Sequence, residues 1–182
     1  IRMYVDGVLQ QARPSAKASN NTRPLNVGFW WGGGSAQRFF RGQIDEIISG
    51  CDVCHLAFAV KNEPYLIPIS FGYDGQYLYI HTAKQGKKLD IIAANPRVCF
   101  GMERNVKLVT DDVRACKWTF RFESVVGLEA LEELTTDADK AYGLDQIMAH
   151  YSGKEWEFSS GDLAGVRLWR ITVDSVTGKR SG

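Results

Sequence analysis

An excess of charge of one sign is the first thing this 182-residue sequence lacks: 22 Lys and Arg against 21 Asp and Glu leave a formal net charge of +1. So even a balance provides no broad basic field, which removes nucleic acid as the default partner. No apolar run approaches the length of a membrane span, and the start does not read as a signal peptide, so no membrane association is expected. Neither a G-x-S-x-G elbow nor a Walker loop occurs, which removes two common catalytic signatures. Cysteine is sparse and irregularly spaced, at Cys51, Cys54, Cys99 and Cys116. A chain of this length can build a core without disulfide staples, so reduced thiols and a cytoplasmic setting are expected. The string Cys51-Asp52-Val53-Cys54-His55 has the form of a haem-attachment motif, yet no export signal accompanies it. No second Cys/His pair stands at zinc-ligand spacing, and a redox pair would open a helix, whereas this one leads into a strand. The two cysteines therefore read as small apolar side chains, and no metal site is expected.

What is present falls into two textures. Residues 1–47 are rich in Gly, Asn, Ser and Arg, with aromatic clusters and few helix signals. Y-V-D-G-V-L alternates around Asp6-Gly7, a hairpin turn signal, and P-L-N-V-G and F-F-R-G-Q-I-D-E-I follow as further short runs. The trio resembles the closing strands of a laminin-G/concanavalin-like jelly roll, which makes 1–47 a partial fragment of such a domain. A few strands without partners cannot bury a sandwich core, so carbohydrate or calcium binding is not carried over from that resemblance. The chain opens on Ile1 within a strand-like pattern and is expected to be a fragment or a processed product. Gln43–Gly50 could belong to either half.

From residue 48 to 182 the texture is that of an antiparallel meander. Leu56–Val60, Tyr65–Phe71 and Tyr77–His81 are strand-like runs, joined by turns at Lys61-Asn62-Glu63 and Tyr73-Asp74-Gly75-Gln76. A helix from Gln85 to Ala94 stops at Asn95-Pro96. R-V-C-F-G-M is another strand, and K-W-T-F-R-F-E-S-V-V-G-L-E-A-L-E-E-L a long bent one, with Gly127 as the expected bulge. A helix follows, capped by Thr135 or Thr136 and ended by Gly153, with Ala141, Leu144, Ile147 and Met148 at helical spacing. G-V-R-L-W-R-I-T-V-D-S-V-T-G closes as one strand. Six or so antiparallel strands with two helices predict a mainly β architecture, a small closed barrel flanked by helices. Trp118, Trp156 and Trp169 are read as core or dimer-contact residues, although one of them could wall a ligand site.

Two local oddities point to a ligand. Lysines crowd the turn where the helix after Tyr77–His81 begins, although the positive end of a helix dipole disfavours cations. A phosphate at that N-terminus would make Lys84, Lys87 and Lys88 its counter-charges, with Gly86 allowing close approach and Thr82 and His81 supplying further donors. A solvated basic turn is the bland alternative. The second oddity is Pro68, in the middle of Y-L-I-P-I-S-F. It implies a bulge or an open edge, whose freed backbone groups could meet a flat heterocycle.

Residues 48–182, from C-D-V-C-H-L-A-F-A-V through Y-L-Y-I-H-T-A-K-Q-G-K-K-L-D to M-A-H-Y-S-G and V-T-G-K, resemble the pyridoxamine 5'-phosphate oxidase-like FMN-binding split barrels. The branch they are most similar to is the nitroimidazole-resistance type. The resemblance implies a six-stranded antiparallel split barrel, a homodimer and an FMN site at each side of the subunit interface. By position it implies that Leu66, Ile67, Pro68, Ile69 and Ser70 line the ring edge through their backbone. His81 and Thr82 would stand where the strand end meets the ribityl-phosphate, Lys87 and Lys88 would hold the phosphate, and Ser124 would reach the flavin from a later strand. His81 is the best single candidate for a group touching both cofactor and substrate. The implied activity is reduction of small nitro compounds with electrons from a reduced nicotinamide. The chain ends V-T-G-K-R-S-G without the Arg and His segment of the pyridoxamine phosphate oxidases, which argues against that activity. A non-catalytic flavin or haem carrier and a carbohydrate-binding module are the alternatives.

Overall fold

A computed structural model describes Arg2–Val5, Val8–Leu9 and residues 35–181, with side chains from Arg41 onward. Ten strands form one connected sheet in these residues. In chain order they are β1 (Arg2–Val5), β2 (Val8–Leu9), β3 (Cys54–Val60), β4 (Glu63–Ile69), β5 (Gly72–Tyr73), β6 (Tyr77–Thr82), β7 (Arg97–Val109), β8 (Thr119–Leu134), β9 (Arg167–Thr172) and β10 (Val176–Ser181). The helices are α1 (Ser35–Ser49), α2 (Lys87–Ala94), α3 (Asp137–Ser152) and α4 (Ser160–Gly165).

The curled path β4-β3-β7-β8-β9-β6 is antiparallel throughout, and β4 and β6 at its two ends do not pair, which leaves the barrel split. The expected mainly β split barrel with flanking helices is the fold, though the described residues form ten strands rather than six. Its hinge is β8, whose first part lies between β7 and β10 while Leu131–Leu134 pair with β9. Gly127 is not a bulge: it pairs with Phe100 in an unbroken register, and the irregularity lies between Arg104 and Lys107, where Asn105 has φ 56°. Glycine is required at position 127 because a Cβ would lie 2.2 Å from the Phe100 ring. The terminal run read as one strand is two, β9 and β10, which turn apart at Val173–Ser175. One side of β10 continues into β1, in parallel, and β1 and β2 form the expected hairpin with Val5 opposite Val8. The Asp6-Gly7 turn itself and the P-L-N-V-G run lie outside the described residues.

Alternation sorts the strands into faces. Leu56, Phe58, Val98, Phe100, Met102 and Val125 point into the barrel with Phe71, Leu78, Ile80 and Ile171. F-F-R-G-Q-I-D-E-I, expected to be a strand, belongs to helix α1, which runs through the 47/48 boundary. Its apolar residues explain the helix: Ile44, Ile47 and Ile48 fall at i, i+3 and i+4, Cys51 just beyond its end continues the row at i+7, and all four are buried in the barrel core. Arg41 fixes the same helix, hydrogen-bonding the Val173 and Gly75 carbonyls. Helix α3 starts at Thr136, whose side chain accepts from the Asp139 amide at 3.1 Å, and ends at left-handed Gly153 (φ 65°). It covers a second cluster of Tyr79, Leu134, Ile147 and Leu168. Gly72 makes that contact possible, since a Cβ there would lie 2.3 Å from the Gln146 carbonyl carbon. Helix α4, which sequence reading did not anticipate, carries a capping box between Ser159 and Asp162. Among the described residues no helix is long and apolar enough to cross a membrane.

Candidate functional site at the start of helix α2

Strand β6 ends at Thr82, and four residues later α2 begins behind Gly86, whose φ of 128° suits glycine. No side chain caps this helix, and its first internal bond runs from the Leu89 amide to the Gly86 carbonyl at 2.9 Å. The amides of Lys87 and Lys88 therefore lie ahead of the hydrogen-bonded ladder, at the positive end of the dipole. Lys84 and Lys87 are exposed and Lys88 is half-buried. Among the described residues none of the three forms an ion pair. Lys87 instead sits with its Nζ 5.1 Å above the centre of the Tyr65 ring, which ties the helix start to β4. Burial pushes the Lys88 ammonium below its ordinary pKa.

His81 and Thr82 project to opposite faces of β6, as neighbours on a strand must. His81 is half-buried, and its Nδ1 is enclosed without a hydrogen-bond partner. Burial lowers its pKa, and the charge of Lys88 lowers it further, so the ring is neutral at pH 7. Thr82 is buried with its hydroxyl oxygen accepting from the Trp169 indole N–H at 3.2 Å. Its own hydroxyl proton is left for one acceptor. Behind them Arg167 stacks 4.9 Å from the Trp169 ring and forks onto Glu133 through two bonds of 2.6 Å, so its charge is committed.

The other candidate residues lie on the rim and on the outer face of the sheet. Pro68 makes no bulge: it stands opposite His55 in a continuous register, on a strand with one neighbour. The edge alternative for Pro68 is therefore the observed one. Pro64 stands on the same strand, opposite Ala59. Two prolines four apart have no N–H to bond β3, so the ladder runs through Glu63, Tyr65, Ile67 and Ile69. The open rim then carries the carbonyls of Pro64, Leu66 and Pro68 and the single N–H of Leu66. Ile69 is buried and Ser70 exposed. Ser124 stands between Glu103 of β7 and Lys179 of β10, three strands from β4, so within one chain it is not part of the α2 corner. It shares the outer face with a row that runs Leu66, Ala57, Cys99, Leu128 across four strands, beside a second of Pro68, His55, Gly101 and Val126. Leu66, Leu128 and Val126 are 63%, 60% and 47% exposed there, an apolar sheet face that none of the described residues covers.

An enclosed imidazole nitrogen without a partner, an uncapped helix start and three lysines without carboxylates form a donor set that fits a phosphate. The other polar groups are committed to structure. Burial raises Cys51 to about 11 and Cys54 to about 12, so both are neutral thiols, and Cys51 donates to the Ile47 carbonyl. Among the described residues no group of His, Cys, Asp and Glu is placed to hold a metal. His150 lies 2.9 Å from the Cys51 carbonyl and packs on Phe71. Of Trp118, Trp156 and Trp169 only Trp169 is core; Trp118 and Trp156 stay half exposed. Sequence reading missed Tyr65 beneath Lys87, and among three tryptophans it did not single out Trp169 as the one behind Thr82. Both stand at inward or rim positions that alternation would have given once the strand bounds were known.

An antiparallel split barrel flanked by helices is the class of fold that this chain adopts. The sequence model described as pyridoxamine 5'-phosphate oxidase matches residues 41–180, and the chain belongs to that family. A candidate 5-nitroimidazole antibiotic resistance protein from Bacteroides thetaiotaomicron is 30% identical, with a TM-score of 0.67 over 75% of this chain and 81% of that one. A FAD-binding protein from Mesorhizobium loti is 25% identical, with a TM-score of 0.54 over 75% and 91%. The FAD and haem binding protein of Mycobacterium smegmatis shares the fold at 20% identity, with a TM-score of 0.69 over 78% and 71%. No curated protein matches the chain.

Proposed function

We propose that the chain is an FMN-dependent oxidoreductase, acting in the cytoplasm as a homodimer that reduces small nitro-aromatic compounds of the 5-nitroimidazole type. The observation that carries this reading is the α2 corner, where three lysines without an ion pair among the described residues surround an uncapped helix start, and Lys88 lies near enough to His81, whose Nδ1 is enclosed, to depress its pKa. Lys87 and Lys88 hold the phosphate with the helix amides, Lys84 adds charge from the preceding turn, and the Thr82 hydroxyl and His81 supply the remaining donors. The rim of Leu66, Ile67, Pro68, Ile69 and Ser70 faces the ring edge, with the carbonyls of Leu66 and Pro68 as acceptors and the Leu66 N–H as donor. The flavin, when bound, supplies the electron chemistry, and the protein supplies binding, orientation and electrostatics. His81, neutral at pH 7, is the group proposed to touch both cofactor and substrate.

The homodimer rests on the uncovered apolar face around Leu66, Val126 and Leu128, which needs burial. Ser124 lies on that face and joins the flavin site from it. Nitro compounds as substrates are supported by the likeness to the Bacteroides resistance protein, and a reduced nicotinamide is the proposed electron donor. The second reading is a flavin or haem carrier on the same barrel, which the haem named for the Mycobacterium protein favours. One absorption spectrum separates them. The enzyme is expected to purify yellow, to bleach under reduced nicotinamide and to recolour on adding a 5-nitroimidazole. A yellow protein that never gives up its electrons to a nitro compound, or a haem Soret band, would overturn the enzyme reading.

A further inference from the structure

A second concave surface lies away from the lysine corner, between α3 and the strap that follows it. Tyr142 and Asp145 of the helix and Glu155, Trp156, Glu157 and Phe158 of the strap line a shallow cleft that opens broadly to solvent. Its walls combine three carboxylates with three aromatic rings, and no lysine or arginine lines it. Among the described residues none of these carboxylates forms a salt bridge.

The walls are assembled in advance. The Trp156 amide donates to Asp145 Oδ1 at 2.6 Å and its indole N–H to the Ser152 hydroxyl at 2.9 Å, so a half-exposed tryptophan is fixed in place. Tyr142 is braced edge-on against Tyr79, with ring centres 5.7 Å apart. Such fixing removes part of the ordering cost a ligand would otherwise meet. Ring faces and carboxylates both carry negative potential, and together they select a cation with an apolar body. A bare metal ion is poorly served, because the aromatic walls offer it no ligands and no metal-holding cluster occurs among the described residues. A planar guanidinium suits the cleft best, since it can stack on a ring while its N–H groups pair with a carboxylate.

We propose that this cleft is a binding site for a small organic cation, a guanidinium-type head on an apolar stem, distinct from the flavin corner. Tyr142 and Trp156 supply the ring faces, and Glu155, Glu157 and the free oxygen of Asp145 supply the counter-charge. The site is open on one side, so exchange is fast and binding weakens as salt rises.

The test follows the Trp156 indole signal of the purified protein by NMR during titration with butylguanidinium, with butylurea as the neutral isostere. The expected result is a saturable shift with butylguanidinium and none with butylurea. Affinity, read in the variants from the backbone amide signals of Tyr142 and Asp145, falls by about tenfold or more in Glu155→Gln/Glu157→Gln and in Trp156→Leu, the scale of a lost charge pair or cation–π contact. A response of equal size to butylurea, no saturable response to butylguanidinium, or undiminished affinity in both variants would overturn the proposal. Flavin content of the same samples is expected to be unchanged, which keeps the outcome separate from that of the flavin reading.

Discussion

Lys88 and His81 explain each other. A half-buried ammonium next to a half-buried imidazole costs stability to both unless an anion sits between them. Burial and then the Lys88 charge depress the His81 pKa, so the fold favours the neutral ring. The sign of the linkage follows: this contribution to stability is complete above about pH 6.5, the ordinary histidine value, and is lost as pH falls from there through the depressed folded value. His81→Gln, which cannot titrate, is expected to flatten that part of the stability profile. FMN bound at the corner would offset the Lys88 charge and move the His81 titration upward. Ring signals of the three histidines, followed against pH with and without FMN, check this. A His81 midpoint at or above 6.5 without ligand, or one that FMN leaves unmoved, would count against the corner as an anion site.

At the scale of elements, contacts between backbones decide more than any exposed charge. Gly72 of β5 lies so close to α3 that an added Cβ would sit 2.3 Å from one backbone atom and 2.4 Å from the next. Gly72→Ala must push the helix off the sheet, and overpacking of this kind costs about 1–3 kcal/mol. Urea unfolding is expected to report that loss, and an unchanged midpoint would contradict the close approach. A charged clasp joins other elements: Arg104 of β7 bonds Glu46 of α1 and the buried Glu123 of β8, and Arg180 of β10 pairs with the same Glu123. Burial pushes that carboxyl up, but the bonds from Arg104 and Asn105 and the neighbouring positive charges leave it below its ordinary value.

The elements also divide what could be read from residues alone from what could not. Strands β3, β4 and β6, helix α2 and the Thr136-to-Gly153 span of α3 were legible, because alternation, breakers and caps all acted locally. The strand reading of F-F-R-G-Q-I-D-E-I failed because aromatic and glycine-punctuated runs resemble short strands, whereas for Gln43–Gly50 the assignment to either half had stayed open, and Ile44, Ile47, Ile48 and Cys51 carry the helical spacing that decides it. Gly127 suggested a bulge, whereas the reason for it is the Phe100 ring from another strand, which no local pattern reveals. The lysine corner was visible in sequence because it violates the dipole preference. Tyr65 and Trp169 were not, since their roles come from β4 and β9 being folded back beside it.

For the whole molecule, the proposed dimer accounts for an apolar face that a single chain leaves open. The barrel is filled, α3 covers a second cluster, and yet the face formed by β4, β3, β7 and β8 exposes Leu66, Val126 and Leu128 side by side. A second copy on that face would bury it and bring Ser124 toward a flavin site. Leu128→Lys places a charge in the middle of the row and is expected to shift sedimentation from dimer to monomer, with flavin lost in step. A dimer that survives this change would place the subunit contact elsewhere.

The measurement that bears most directly on the account compares FMN with riboflavin, which differ only by the phosphate, by calorimetric titration of flavin-free protein. With the phosphate held at the start of α2, FMN should bind more tightly by about 2–4 kcal/mol, roughly 30- to 1000-fold, the scale of charge-assisted hydrogen bonds. In Lys87→Ala/Lys88→Ala most of that difference should vanish while riboflavin affinity stays as it was. Equal affinity for the two flavins, or a preference for FMN that survives loss of both lysines, would contradict it.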